Sequence, residues 1–253
     1  MAKKKKPKIV LGLDIGGTGI KGALVDTRTG ELVARRHRIP TPQPATPKAV
    51  ARTVVEIVEH FKWQGRMGCT LPARVRGGVA ETAVNIDEAW VGKKAAKLFG
   101  KKTGLRVCLL NDADAAGLAE ARFGAGKGKS GTVVVLTFGT GVGSVVIVDG
   151  TLVPNTEFGQ LWLKGTTLEK WSANSVRERE SLSWEAWAER VQDALDHIEY
   201  VIAPDLIVIG GGVSKPHRWQ EYGKLLRTDA KLVPARLANE AGIIGAAWYA
   251  RKG

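Results

Sequence analysis

Cysteine is scarce in this chain, with only Cys69 and Cys108 among 253 residues. Two thiols cannot build a disulfide-stapled secreted scaffold, and no Cys/His cluster has the spacing of a zinc site. Both lie in apolar segments and read as buried thiols of a reducing compartment. Histidine is also thin. His37, His60, His197 and His217 are scattered, and no Ser/His/Asp pattern points to nucleophilic catalysis. No apolar run approaches the ~20 residues that span a bilayer, and the run that follows the N-terminal lysines is too short for a secretory signal. A hydrophobic content of 44% and a charged content of 25% are ordinary for a globular protein. A cytoplasmic location is expected, with length enough for one large domain or two smaller ones around a cleft.

Negative charge is the other shortage. Asp and Glu number 25 against 38 Lys and Arg, a net charge of +13. Lys3 to Lys6 and Lys8 supply five of these charges, which leaves about +8 on the body of the chain. A basic body calls for an anionic partner: nucleic acid, anionic lipid or a polyanionic substrate. The plain alternative is that the surplus only aids solubility. The tryptophans read as core and site-adjacent packing rather than base-stacking platforms, because few lie in basic runs.

What the chain does have is two Gly/Thr loops, each behind a β-branched apolar run. Asp14-Ile15-Gly16-Gly17-Thr18-Gly19-Ile20-Lys21 follows Ile9 to Leu13, and Thr137-Phe138-Gly139-Thr140-Gly141-Val142-Gly143 follows Thr132 to Leu136. A buried strand that enters a glycine turn brings backbone N–H groups close to a ligand with no Cβ in the way. Two such turns suit a chain of phosphates. Asp14 can hold Mg²⁺ directly or through water, and Lys21 supplies a point charge. Gly16, Gly17, Thr18, Thr137, Gly139, Thr140 and Gly141 are the expected donor contacts, with Phe138 packed beneath. Gly210-Gly211-Gly212 is a third candidate, where Gly211 and Gly212 would underlie a base or ribose; a plain strand-to-helix turn explains it equally well.

The spacing predicts strands at residues 9–14, 20–26, 31–38, 67–71, 106–110, 132–138, 143–148, 151–153, 206–209 and 231–234. Helices are predicted at 49–63, 92–102, 113–123, 183–202 and 238–250. Thr41 to Pro47 is a proline-rich connector. Strand, glycine turn and strand recur near residue 132, which suggests two related lobes. Asp112 ends a strand, where ligands bind in open α/β sheets. It is the best-placed base for a phosphoryl transfer to an alcohol, with Asp114 as the expected helix cap. Asn85, Asn111, Glu157, Gln160 and Glu169 are polar groups near turns and suit sugar hydroxyls, which both donate and accept. Lys93, Lys97 and Lys101 fall at helical spacing. With Lys94 and Lys102 they form one candidate track for a polyanion; Lys127 and Lys129 form another.

Asp14-Ile15-Gly16-Gly17-Thr18-x-x-Lys21, Asn111-Asp112-Ala113 and Gly139-Thr140-Gly141-Val142-Gly143 together resemble the ROK family of sugar kinases, over nearly the whole chain. Local runs resemble its polyphosphate-using branch: Thr70-Leu71-Pro72-Ala73, Thr82 to Asp87 with Trp90, Val153 to Gly159, Leu182 to Trp187, and Pro204 to Ile207. The resemblance implies an α/β, two-lobed actin/hexokinase/Hsp70-like (ribonuclease H-like) fold with an interlobe cleft. The small lobe would be 1–110, joined by a closing helix at 238–253, and the large lobe 111–237. It implies phosphorylation of glucose, with mannose as a second candidate, at the 6-hydroxyl. Polyphosphate and ATP are the implied donors, with Mg²⁺, Asp112 as base, sugar contacts from Asn85, Asn111, Glu157 and Glu169, and a homodimer. No cysteine follows Leu163, so the zinc of many relatives is not expected. Gln160 stands where a histidine is usual; an amide donates and accepts but takes no charge. The first loop arrives by residue 14, so the helix-turn-helix of ROK repressors is not expected. Competing readings are a strictly ATP-dependent hexokinase, a non-catalytic sugar sensor, and a nucleic-acid-binding protein that works through its lysine tail.

Overall fold

The computed structural model describes residues 8–251; the Lys3 to Lys6 run lies outside them. In chain order the first elements are β1 (Ile9–Ile15), β2 (Ile20–Asp26), β3 (Glu31–Leu32), β4 (His37–Ile39), α1 (Pro47–His60), β5 (Met67–Leu71), β6 (Val75–Arg76) and β7 (Val79–Ala80). Next come α2 (Ala95–Thr103), β8 (Val107–Asn111), α3 (Asp112–Phe123), β9 (Thr132–Phe138), β10 (Val142–Val148), β11 (Thr151–Val153), β12 (Trp162–Leu163) and β13 (Thr166–Thr167). The chain continues through α4 (Leu168–Ser172), α5 (Asn174–Arg179), α6 (Trp184–Ile202), β14 (Leu206–Gly210), α7 (Pro216–Tyr222), β15 (Lys231–Pro234) and α8 (Ala241–Ala250).

These elements form two compact units: the described residues up to Ala119 together with those from Glu240 on, and Glu120–Asn239. The division falls inside α3. Its first half packs with α8, where Gly245 lies against the Ala115 carbonyl. Its buried Glu120 instead accepts from the amides of Ala125, Arg236 and Leu237.

Each unit is built on one sheet, and both sheets follow one plan. The first runs β3-β2-β1-β5-β8, with β4 also on β2; the second runs β11-β10-β9-β14-β15. In each, a central strand pairs antiparallel with the strand after its glycine loop and parallel with a strand on its other side. The parallel strands are buried runs such as Leu-Ile-Val-Ile-Gly in β14, as a sheet covered on both faces requires. In the first unit Val50, Val54 and Ile57 of α1 join Leu13, Ile15, Met67, Trp90 and Phe99 in the core. The second unit packs Val134, Leu136 and Phe138 with Trp187, Val191 and Leu195 of α6.

Several boundaries move, each for a local reason. The expected strand at 31–38 is two pieces, broken between Leu32 and His37. α1 starts at Pro47 because Thr46 caps it, its hydroxyl accepting from Ala49 N at 3.3 Å with proline at the first position. The basic helix begins only at Ala95. Gly92 has a left-handed φ of 75°, and Lys94 is the helix cap. Lys93 is therefore off the helix, and of the expected stripe only Lys97 and Lys101 remain on it. Asp114 is not the cap of α3. Asn111 is, its Oδ1 accepting from Asp114 N at 3.0 Å. Cys69 is buried but Cys108 is only half-buried. Trp90 and Trp187 lie in the core as expected, whereas Trp162 is 70% exposed. Among the described residues no helix is long and apolar enough to cross a membrane.

α8 lies directly on the first sheet because glycines permit it. A Cβ on Gly12 would strike the Ile243 carbonyl, and one on Gly68 the Ala246 carbonyl. Gly68→Val should therefore destabilise the protein by about 3 kcal/mol or more, the upper end of overpacking costs. The midpoint of urea unfolding measures this, and a midpoint within error of the parent would show that the contact yields.

Candidate active site

Three parallel strand ends, β1, β5 and β8, make one corner of the first unit. Asp14 stands one residue before the end of β1, Thr70 one residue before the end of β5, and Asn111 is the last residue of β8. The Asp14 carboxylate is fixed on both sides. Its Oδ2 accepts from Lys21 Nζ at 3.1 Å, directly across the β1–β2 pair, and its Oδ1 accepts from Thr70 Oγ1 at 3.1 Å. Thr70 Oγ1 in turn accepts from Ile15 N at 3.0 Å. Gly242 of α8 leaves room for the carboxylate, since a Cβ there would lie 2.9 Å from Oδ1. Asp112 opens α3 immediately after β8 and is half-buried, with Ala113 N donating to its Oδ1 at 3.0 Å. Asn111 Nδ2 donates to the Ala73 carbonyl at 3.1 Å. The amide therefore spends one donor and one acceptor on the protein and keeps one of each.

The first glycine loop spans Gly16–Gly19. Its carbonyl oxygens are turned toward protein donors. Thr41 Oγ1 donates to Gly16 O, Gln43 Nε2 to Gly17 O at 3.2 Å, and Arg38 Nη2 to Thr18 O at 3.0 Å. Among the described residues no acceptor takes the N–H of Gly17 or Thr18. A loop with its acceptors occupied and its donors free presents positive potential to a ligand, as anion-binding nests do. Asn85, exposed and left-handed at φ 56°, sits against this loop: a Cβ on Gly17 would lie 2.9 Å from Asn85 O.

The second loop, in the other unit, is arranged alike. Gly139 N donates to Gly141 O at 2.9 Å. Ser175 N donates to Gly139 O at 3.0 Å, and Ser175 Oγ to Thr140 O at 2.6 Å. The N–H groups of Thr140 and Gly141 have no acceptor among the described residues. Thr137 stands opposite Gly143 across the β9–β10 pair, the place that Asp14 and Lys21 hold in the first hairpin. Phe138 is fully buried beneath the loop, edge-on to Trp187 at 5.7 Å.

Glu169 and the Glu157–Gln160 turn come to the same loop. Val142 N donates to Glu169 Oε2 at 3.0 Å, and a Cβ on Gly141 would strike that carboxylate. Gly159 lies against the Val142 carbonyl. Ser144 Oγ donates to Thr156 O at 2.7 Å and accepts from Phe158 N at 2.7 Å, which latches the turn to β10 and leaves Glu157 and Gln160 exposed. The third glycine turn adjoins the strand that enters the second loop. β14 ends at Gly210 opposite Thr137, and Gly211, at φ 84°, lies against the Phe138 carbonyl. Arg218 Nη1 donates to Gly212 O at 3.3 Å.

The expected residues thus gather within their own units. Asp14, Gly16, Gly17, Thr18, Lys21, Asn85, Asn111 and Asp112 belong to the first; Thr137, Gly139, Thr140, Gly141, Glu157, Gln160, Glu169, Gly211 and Gly212 to the second. Sequence reasoning missed the residues that hold the loops: Thr70, Arg38, Thr41, Gln43 and Ser175. Thr70 was within reach, as its strand runs parallel to β1. Ser175 carried no signal, because its short helix shows no periodicity. The buried Cys69 beside Thr70 is not a nucleophile, since burial pushes its thiol far above the ordinary range. Among the described residues no three His, Cys, Asp or Glu side chains form a metal cluster.

The family model described as "ROK family" matches residues 10–160, and the chain belongs to that family. Its mixed α/β fold is that of the ROK sugar kinases, within the actin/hexokinase-like architecture. The polyphosphate glucokinase of Mycobacterium tuberculosis is 50% identical over 237 residues, which cover 93% of this chain and 89% of that protein. The crystal structure of the inorganic polyphosphate/ATP-glucomannokinase from Arthrobacter sp. strain KM matches with a TM-score of 0.90 at 44% identity, covering 96% of this chain and 98% of that one. A ROK family glucokinase from Streptomyces griseus, solved with glucose and AMPPNP, shares the fold at a TM-score of 0.82 and 22% identity, covering 97% and 100%.

Thr70→Val should cost about 1–3 kcal/mol in urea unfolding, because it strands the buried Ile15 N–H and removes a donor from Asp14. Thr70→Ser, which keeps the hydroxyl and removes only a buried methyl, should cost less than the valine, about 0.5–1 kcal/mol. Equal losses in the two variants would assign the effect to packing instead.

Proposed function

We propose that the protein transfers the terminal phosphoryl group of inorganic polyphosphate, and of ATP, to the 6-hydroxyl of glucose. The observation that carries phosphoryl transfer is the pair of glycine loops whose carbonyl oxygens are tied back and whose free N–H groups await an anion. Polyphosphate as donor and glucose as acceptor rest on the 50% identity to a polyphosphate glucokinase over 93% of the chain. Mannose is a second acceptor on this reading, by likeness to the glucomannokinase. The soluble, cytoplasmic and homodimeric state expected from the sequence belongs to the same reading.

The Asp112 carboxylate accepts the proton of the sugar 6-hydroxyl as O6 bonds to the terminal phosphorus. The P–O bond to the rest of the donor breaks, and the shortened polyphosphate, or ADP, leaves with that electron pair. Asp112 suits this role because it stands just beyond a parallel strand end, in the first turn of α3, with its carboxylate held by Ala113 N. The loop N–H groups and Lys21 stabilise charge on the phosphates, and positioning supplies most of the rest. Asn85, Asn111, Glu157, Gln160 and Glu169 contact the sugar, and Gly211 and Gly212 lie along the donor beyond the second loop.

Asp14 fits a magnesium ion bound through water. Each of its oxygens has given one lone pair to Thr70 or Lys21 and keeps another, and Mg²⁺ typically takes one or two carboxylates, several waters and substrate phosphates. Bound there, Mg²⁺ would neutralise phosphate charge. No zinc is part of this reading.

Asp112→Asn should lower kcat by roughly a thousandfold, the middle of the range for general base catalysis, while the glucose Kd from calorimetry stays within a few-fold. Parallel loss of both would remove Asp112 from the base role. Lys21→Ala should raise the donor KM by about tenfold, as loss of one charge-assisted phosphate contact does, with little change in the glucose KM. An unchanged donor KM would place the donor elsewhere.

A further inference from the structure

The two glycine loops reach the same end by unequal means. Three side chains from two places hold the first loop: Arg38 on β4, and Thr41 and Gln43 just after it. Among the described residues a single one, Ser175, holds the Gly139 and Thr140 carbonyls of the second. Its backbone N–H takes Gly139 O at 3.0 Å, and its hydroxyl takes Thr140 O at 2.6 Å. Those two carbonyls flank the Thr140 N–H, one of the two free donors of the loop. A peptide unit is planar, so holding the Gly139 carbonyl fixes the direction of the Thr140 N–H, and holding the Thr140 carbonyl fixes that of the Gly141 N–H. Ser175 therefore aims both free donors without touching the ligand.

The mounting of Ser175 supports this role. It follows Ala173 and Asn174, both buried. Asn174 Nδ2 donates to Glu178 Oε1 at 2.8 Å, and Arg177 Nε donates to Asn174 Oδ1 at 3.2 Å. The Arg177 guanidinium lies 4.0 Å over the Trp184 ring, which stacks on Tyr222 at 5.5 Å. Tyr222 meets Trp187 edge-on at 4.8 Å, and Trp187 supports Phe138 directly under the loop. The clasp and the floor of the loop are thus one packed body, so the hydroxyl is held where the Thr140 carbonyl needs it. Glu169, at the other end of the same α4–α5 segment, takes Val142 N. One short stretch of chain therefore brackets the loop at both ends.

We propose that Ser175 is a positioning residue for the phosphoryl donor: its hydroxyl holds the second glycine loop in the conformation whose Thr140 and Gly141 amides bind the donor phosphates. This rests on the reading of that loop as a donor site. The test compares Ser175→Ala, Ser175→Thr and Gly141→Ala in the full chain. The readouts are donor and glucose KM, kcat, thermal midpoint, and calorimetric binding of tripolyphosphate with Mg²⁺ and no sugar. Ser175→Ala should raise the polyphosphate KM and the tripolyphosphate Kd by about five- to tenfold, the scale of one neutral hydrogen bond. The glucose KM and thermal midpoint should stay close to the parent, and Ser175→Thr should restore donor affinity. Gly141→Ala should weaken donor binding at least as much, because its Cβ meets the Glu169 carboxylate.

Parental donor affinity in Ser175→Ala alongside weakened binding in Gly141→Ala would overturn the clasp and leave the donor site standing. Parental affinity in both would overturn the donor-site reading itself. Equal rises in glucose and donor KM, or no recovery with threonine, would reduce Ser175 to a residue of general stability.

Discussion

Everything at the candidate site depends on keeping carbonyl oxygens out of two glycine loops. A tight glycine turn offers donors and acceptors alike, and an anion is attracted by the first and repelled by the second. Left alone, such a loop is close to neutral toward phosphate and free to flip its peptides. Here the acceptors are spent on protein donors, from Thr41, Gln43 and Arg38 in one unit and Ser175 in the other. The bonds are individually modest, about 1 kcal/mol net each. Their value lies in orientation: donors aimed before the ligand arrives need no reorganisation when charge shifts on the phosphates.

The same economy recurs in the sheets. Each unit feeds its loop from a central strand and takes the chain back antiparallel, with a parallel neighbour behind. The cross-strand pair one step back from the loop differs between them. Asp14 faces Lys21 in the first hairpin, and Thr137 faces Gly143 in the second. One hairpin therefore carries a carboxylate and an ammonium, suited to a metal-bound phosphate, whereas the other offers a hydroxyl and backbone, suited to close approach. A repeated scaffold has been given two chemistries by one cross-strand pair. Glycine also sets the packing behind the first hairpin, where Gly12 and Gly68 let α8 lie against the sheet, Gly245 lets it approach α3, and Gly242 makes room for Asp14.

Much of this was legible in the sequence because it is written in local patterns. β-branched runs that end in glycine marked β1, β9 and β14, and strand β9 falls at the expected residues 132–138. The amphipathic period located α6, whose start is fixed by the Ser183 cap. Asp14, Asp112 and the loop glycines stood out because a charge or a glycine at a strand end has few other uses. The rest was hidden for physical reasons. α4, α5 and α7 are too short to show a helical period. Lys93 fell off its helix because Gly92 takes a left-handed turn. Asn111 rather than Asp114 caps α3, since the helix begins directly at Asp112 and Asp114 already lies in its first turn. The residues that tether the loops are ordinary Ser, Thr, Gln and Arg side chains whose meaning lies in distant partners. Ser175 meets Thr140 across 35 positions, and no pattern in a single sequence carries that.

The most direct test is the initial rate of glucose 6-phosphate formation with Mg²⁺, with polyphosphate and ATP compared at equal phosphate concentration over a salt series. Formation from polyphosphate is expected, with an apparent donor affinity that falls steeply with salt, as for other polyanions held by several cations. Turnover with ATP alone would keep the phosphoryl-transfer site and remove polyphosphate as its donor. Glucose binding without product from either donor would contradict the account and leave a sugar-binding protein that does no chemistry.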